Sequence, residues 1–246
     1  HNNLTKSVTT FPDKTIQETG YQYAHEKGNQ LMVDKNMIGI PLETITKQTM
    51  GSNTKILSRE ETTYPTSIGT PQAGNLVLPL SEKSYDVLNT NTSYTDVTYD
   101  QYDDKGNILQ YTMKDGTPVT ILWGYNQTLP IAKIEGMTYG QVSASGAVTA
   151  IVAASNDDGA DPSKENILLT ALSTFRKHQT MVGRKVTTYT HDPLIGVTSI
   201  TQPSGIREVF SYDMFGRLKE TGVNGKNSSG VYIKKKTKEF KYNYKQ

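Results

Sequence analysis

Tyr102-Asp103-Asp104-Lys105-Gly106-Asn107-Ile108 and Tyr212-Asp213-Met214-Phe215-Gly216-Arg217-Leu218 share a Tyr-Asp pair with Gly four residues after the Tyr. A third copy, His191-Asp192-Pro193-Leu194-Ile195-Gly196-Val197, has His in place of Tyr and one extra residue before the Gly. An Asp-x-x-Gly turn supplies the positive φ that a tight hairpin needs at little steric cost. From His191 to Tyr212 is 21 residues, and from Tyr102 to Tyr125 is 23. Such a period predicts an array of like hairpins, each too small to bury its own face. Segments 23–31 and 242–244 read as degenerate copies. The repeat core is then Tyr102, Asp103, Gly106, Asp192, Gly196, Tyr212, Asp213, Gly216 and Arg217, with both Gly106 and Gly216 expected at positive φ.

Outward from these turns the pattern has period two. Leu42–Lys47, Thr54–Arg59 and Ser93–Tyr99 alternate and are rich in Thr, Tyr and Ile, which is strand chemistry. Lys114-Asp115-Gly116 and Asn224-Gly225 read as further tight turns, and the Pro- and Gly-rich stretch 64–80 as a loop. The 15 Tyr against 5 Phe and 1 Trp suit a sheet buried on one side and wet on the other. With 35% hydrophobic residues, a closely packed aliphatic core is not expected to be the main organising feature.

Residues 138–178 break the rhythm. Thr138 with Gln141 fits a capping box, and an Ala/Val-rich run carries a helix to Ala154. Asn156–Ala160 is the expected turn, after which Asp161 and Pro162 open a second helix with Leu168, Leu172 and Phe175 on one face. The strand pattern resumes at Lys185. The expected fold is mainly β: an antiparallel hairpin ribbon over 1–137 and 179–246, with an inserted helical hairpin at 138–178 whose deletion leaves the sheet intact.

Composition limits function. A formal charge of +2 gives no electrostatic case for nucleic acid, and the absence of Cys excludes disulfides and thiolate metal sites. No apolar run approaches a membrane span, and a chain beginning at His1 without a leader reads as a processed chain or fragment. His25-Glu26-Lys27-Gly28-Asn29 has Asn where a zinc site of the zincin kind needs a second His. Asp157, Asp158 and Asp161 crowd one segment but lack the Glu that closes a calcium loop, so capping is the better account. Ser52 and Lys55 have nucleophile-base spacing only on a helix, and they lie among strand-like runs. Lys234, Lys235, Lys236, Lys238, Lys241 and Lys245, interleaved with Phe240, Tyr242 and Tyr244, read as a protected edge strand. The strand near 15–24 has no such protection and is expected to be covered by more chain or a partner. Trp123 and Tyr125 could stack on sugars, although periodic Tyr is more often an internal ladder. No catalytic residue, cofactor site or metal site is expected.

The run from Thr98 to Gly136 and that from Tyr189 to Glu220, with Tyr212-Asp213 and Gly216-Arg217-Leu218 at its heart, resemble the RHS/YD-repeat proteins of the Bacteroidota. The resemblance covers roughly residues 92–246 well and 15–60 loosely. It implies a β-ribbon that, in complete relatives, spirals into a hollow shell enclosing a toxin or standing at the cell surface, with export in some members by type IX secretion. It also implies a structural scaffold in an extracellular or outer-membrane-associated protein, partnered by the rest of a parent chain or by an envelope or secretion protein. A surface carbohydrate-binding module with glycan ligands is the alternative. The chain carries fewer repeats than such shells use. The aspartyl autoproteolytic segment and toxin domain of the family are not visible in it.

Overall fold

The computed structural model describes residues 2–226 and 232–242. It falls into two compact units, His1–Thr117 and Pro118–Gln246. Both are antiparallel β meanders, and the second also carries helices. Among the described residues no helix is long and apolar enough to cross a membrane.

In the first unit seven strands pair in chain order: β1 (Lys6–Thr10), β2 (Ile16–Gln22), β3 (Glu43–Met50), β4 (Asn53–Thr63), β5 (Ser81–Tyr85), β6 (Ser93–Tyr102) and β7 (Ile108–Met113). Residues 64–80 contain no strand. The strand expected to be an open edge near 15–24 is β2, and it is paired on both sides, with β1 and with β3. The sheet continues one strand further because Phe11–Thr15 turns the chain back and lets Lys6–Thr10 complete the ladder. The apolar cluster of this unit is small: Ala24, Met32 and Leu42, with Met37, Ile40 and Val77 against it. Met32 lies on the short helix α1 (Gln30–Asp34), whose cap is Asn29; the Asn29 Oδ1 accepts from the Met32 N–H at 3.1 Å.

In the second unit β8 (Pro118–Gly124), β9 (Leu129–Glu135), β10 (Lys185–Asp192), β11 (Gly196–Thr201), β12 (Arg207–Tyr212), β13 (Leu218–Lys226) and β14 (Tyr232–Glu239) again pair in chain order. Between β9 and β10 come α2 (Tyr139–Ser143), α3 (Val148–Ala160) and α4 (Glu165–Lys177). The Thr138–Gln141 capping box opens α2 as expected. That helix does not run on to Ala154: Gly146, at φ 71°, breaks the chain before α3 begins. Asn156–Ala160 is not a turn either, but the last part of α3; the reversal is at Asp161, whose side chain accepts from the Ser163 N–H. Pro162 follows at the first position of a short 3-10 turn that leads into α4.

Leu168, Leu172 and Phe175 of α4 are buried together with Ile151 of α3 and with Leu122, Ile131, Ile134 and Val186 of the strands. A packed aliphatic core therefore organises the second unit, a larger role than composition implied. It is concentrated under the helices, while the first unit has the smaller cluster around Met32. The same core explains why the compact units divide at 117/118 rather than at 137/138 and 178/179: β8 and β9 bury their inner faces against the helices that follow them.

Asn224-Gly225 is not a turn. Asn224 pairs with Arg207 on one side and with Lys234 on the other, and Gly225 with Ile233. Two flanking ladders hold the Asn-Gly pair extended, and β13 continues to Lys226. The lysine-rich segment forms β14, paired with β13 alone, and Lys235, Lys236 and Lys238 on it are exposed. Tyr244 and Lys245, with the last part of the degenerate copy at 242–244, lie outside the described residues.

Candidate functional site

The repeat core folds into one hairpin loop used repeatedly. At Tyr102-Asp103 the Asp103 N–H donates to the Asn107 carbonyl at 2.9 Å and the Gly106 N–H to the Asp103 carbonyl at 3.1 Å. The Asp103 carboxylate accepts from the N–H groups of Lys105 and Asn107. At Tyr212-Asp213 the same bonds recur, with Gly216 donating to Asp213 and Asp213 to Arg217. Gly106 sits at φ 87° and Gly216 at φ 71°, as the spacing requires. This is a three-residue loop closed by a left-handed bulge residue. Met113–Thr117 and Gln202–Ile206 use the identical backbone pattern without a Tyr-Asp pair, and Phe11–Thr15 uses it with Lys14 at φ 67° in the glycine position. Of these three, the sequence marked only Lys114-Asp115-Gly116, as a tight turn.

The Tyr of each unit is a staple. Tyr102 Oη donates to the Pro79 carbonyl at 2.8 Å, and Tyr212 Oη to the Val197 carbonyl at 2.8 Å. The degenerate copies keep this bond: Tyr23 Oη reaches Leu4 and Tyr242 Oη reaches Leu218. Each ring thus ties its own strand end to backbone laid down 15 to 24 residues earlier. Arg217 adds a second tie, bonding both ways to Asp213 and lying 4.3 Å from the Tyr242 ring centroid. At the third copy, Asp192 accepts from the Leu194 N–H, and Gly196 is at φ 149° beside the Tyr212 hydroxyl. Its loop has the length of the others, with Ile195 donating to the Asp192 carbonyl where Gly106 and Gly216 donate in the other copies, and the bulge at Thr190/His191 matches theirs at Gln101/Tyr102 and Ser211/Tyr212.

Where the helices meet the strands, polar side chains converge. Tyr125, Asn126 and Gln127 all have positive φ, at 50°, 58° and 64°, a costly run for non-glycine residues. Side chains of α3 hold it: Ser155 Oγ accepts from the Tyr125 N–H and Asn156 Oδ1 from the Asn126 N–H at 2.7 Å. Tyr125 Oη donates to Asp158 Oδ2 at 2.8 Å and accepts from the His191 N–H at 2.9 Å. The His191 ring bonds the Pro130 carbonyl through Nε2 at 2.8 Å. Burial pushes the His191 imidazole below its ordinary range, against the pull of Pro130. Burial also raises Asp158, helped by the Glu165, Asp192 and Asp161 carboxylates and opposed by the Tyr125 hydrogen bond. Tyr125 is pushed up as well, first by burial. Glu165 Oε1 accepts from the hydroxyls of Thr190 and Thr198.

These positions answer the remaining motifs. Asp158 faces Tyr125 whereas Asp161 caps the following turn, so the acidic run serves separate partners. Glu26 accepts from the Tyr23 N–H within the turn that leads to α1. Ser52 lies in the turn between β3 and β4, with Lys55 on β4. Among the described residues no set of three or more His, Cys, Asp or Glu side chains is placed to hold a metal ion.

A cleft of about 510 Å³ opens beside this seat, between α4 and the strands β10 to β13. Arg176, Lys177, Arg207 and Asn224 line it, with the hydroxyls of Thr188 and Ser199. Arg176 donates to the carbonyls of Val186, Thr201, Gln202 and Pro203. No lining side chain was read from sequence as part of a cleft, Leu172 standing out only as a helix face and Asn224 only as a turn, because residues 176 and 224 meet only through the strand order.

No protein-family model matches this chain, and no curated protein matches it in sequence. Among solved structures it is similar to the crystal structure of TcdB2-TccC3-Cdc42, with a TM-score of 0.36 and 11% identity over 90% of this chain and 12% of that one. TcdB2-TccC3 without its hypervariable C-terminal region gives the same score and identity, over 92% of this chain and 12% of that one. The chain thus spans 12% of the length of these structures, and a TM-score of 0.36 is too loose a superposition to identify a family.

Proposed function

We propose that this chain is a non-catalytic structural module of an exported RHS/YD-repeat protein, secreted or held at the cell surface, forming part of a wall that displays or encloses another domain. The observation that carries the reading is the reuse of one unit: a Tyr-Asp hairpin whose tyrosine hydroxyl is spent on a backbone carbonyl laid down earlier in the chain. A side chain used to join successive hairpins builds a sheet. The titratable groups support it too, since the His191 ring bonds Pro130, Asp158 bonds Tyr125, and Glu165 bonds two threonines. Electron microscopy of the full-length parent protein tests this. The expected image has residues 1–246 continuous with flanking hairpins in a wall with other mass on one face. The reading fails if the segment stands free of neighbouring repeats, or if the purified chain turns over a hydrolase substrate.

A further inference from the structure

The geometry points to a binding site that the scaffold role does not use: we infer that the cleft between α4 and β10–β13 takes a small polyhydroxylated anion, a sugar carrying a carboxylate or a phosphate. Charge is the first reason. Three cationic side chains, Arg176, Lys177 and Arg207, line the cleft, and no Asp or Glu does. Neither arginine is in an ion pair among the described residues. Arg176 spends its hydrogen bonds on four backbone carbonyls. Arg207 donates through Nε, at 3.0 Å, and Nη2 to the side-chain oxygen of Asn224, in the amide orientation that satisfies both residues. Neutral acceptors fix the two guanidinium planes without cancelling their charge, which leaves a prearranged positive field in a partly dry cleft. Burial with no carboxylate to offset it also pushes Arg176 below the usual arginine range.

The walls are the second reason. Thr188, Thr190 and Ser199, which line the cleft, are at least 97% buried, their exposures being 2%, 1% and 3%. The Thr190 hydroxyl is committed to Glu165, Thr198 and Ser199, which leaves the Thr188 hydroxyl and the remaining capacity of Ser199 to meet sugar hydroxyls. The nearest carboxylate that contacts the row, Glu165, does not line the cleft and already accepts from Thr190 and Thr198. A volume of about 510 Å³ is within the range of small-molecule sites.

Isothermal titration calorimetry on the whole chain at low ionic strength separates the possibilities. The probes are galacturonate, glucose 6-phosphate, glucose and inorganic phosphate. Galacturonate and glucose 6-phosphate are expected to bind, glucose about tenfold or more weaker, and added salt to weaken both anions. Which of the two anions binds tighter identifies the acidic group. Asn224→Asp puts a carboxylate on Arg207 while keeping the acceptor, and is expected to cost about tenfold or more in anion affinity with the unfolding temperature unchanged. If that variant unfolds early, Arg207→Gln carries the same expectation. Glucose binding as tightly as galacturonate, no binding by either sugar anion, or full affinity in a folded charge-cancelled variant would each overturn the proposal. Inorganic phosphate matching glucose 6-phosphate would overturn the sugar part, leaving a bare anion site. None of these results bears on the wall role, which rests on the hairpins alone.

Discussion

The hairpin loop is the residue-scale unit, and its bulge position sets the demand for glycine. Gly216 at φ 71° would force a β-branched residue into a backbone region it avoids, so Gly216→Val is expected to cost roughly 1 kcal/mol or more by denaturant unfolding. Lys14 occupies the same position at φ 67°. Lys14→Gly is therefore expected to stabilise the first unit by about 0.5 kcal/mol, the relief of left-handed strain being partly offset by the entropy of glycine. A close approach governs Gly124 instead. A Cβ there would lie 2.1 Å from Ser155 Oγ and 2.7 Å from a methyl group of Ile131, where β8 runs under α3. Gly124→Ala is expected to cost about 1–3 kcal/mol, read as a lower midpoint of Trp123 fluorescence in denaturant. Trp123 is the only tryptophan and lies on β8 of the second unit.

At the scale of elements, the helical hairpin is part of the core of the second unit. Leu168, Leu172 and Phe175 supply much of the buried apolar surface of the second unit, and α3 holds the left-handed turn at Tyr125–Gln127. Deleting 138–178 with a Gly-Ser bridge is expected to shift Trp123 emission to that of solvated indole and to abolish cooperative unfolding of the second unit; a retained native spectrum would refute this. The pH response of the seat follows from Asp158. Its folded-state pKa lies above the ordinary aspartate value of about 3.9. The stability it contributes is therefore present below that value and is given up as pH rises through the raised pKa. Asp158→Asn keeps an acceptor for Tyr125 and cannot ionise. Its unfolding temperature, relative to the unmodified protein, is expected to rise with pH from acid to neutral. The α4 stripe was legible because it is purely apolar at helical spacing, with Asp161 and Pro162 before it. The buried face of α3 was not, because Ser155 and Asp158 share it with Ile151 and Ala154, and polar residues on a core face erase the periodicity.

At the scale of the whole molecule, the two units are stabilised differently. The first has three fully buried apolar residues in its cluster and relies on charge: Glu43, 3% exposed, lies between Lys27 at 2.8 Å and Arg59 at 3.1 Å, and Lys27 also reaches Glu61 at 2.6 Å. The Arg59 guanidinium lies over the Tyr85 ring, whose hydroxyl donates to Glu61. Burial pushes Glu61 up, but the bonds from Lys27 and Tyr85 outweigh it and hold the carboxyl below the usual range. A group with a depressed folded-state pKa stabilises fully above its unfolded value, about 4.3 for Glu, and loses that contribution as pH falls through the folded value. As pH falls through the depressed Glu61 value the first unit is therefore expected to lose stability, seen as earlier loss of the β signal in circular dichroism on heating, while Trp123 emission stays native. Loss of both signals together would contradict a division of labour between ion pairs and apolar core.

The turns, the strands they connect and the second helix were determined by local sequence. Asp-x-x-Gly spacing, two-residue alternation and an Asp-Pro start each act through neighbours a few residues away. Tertiary structure decided the rest. It held Asn224-Gly225 extended, because two flanking ladders outweigh the preference of that pair for a turn. It made the helices a core rather than an appendage, because an apolar face is stable only where another face meets it. And it brought Arg176, Thr188, Ser199, Arg207 and Asn224 to one cleft, since residues so far apart along the chain become neighbours only through the pairing of β10 with β11, β11 with β12 and β12 with β13.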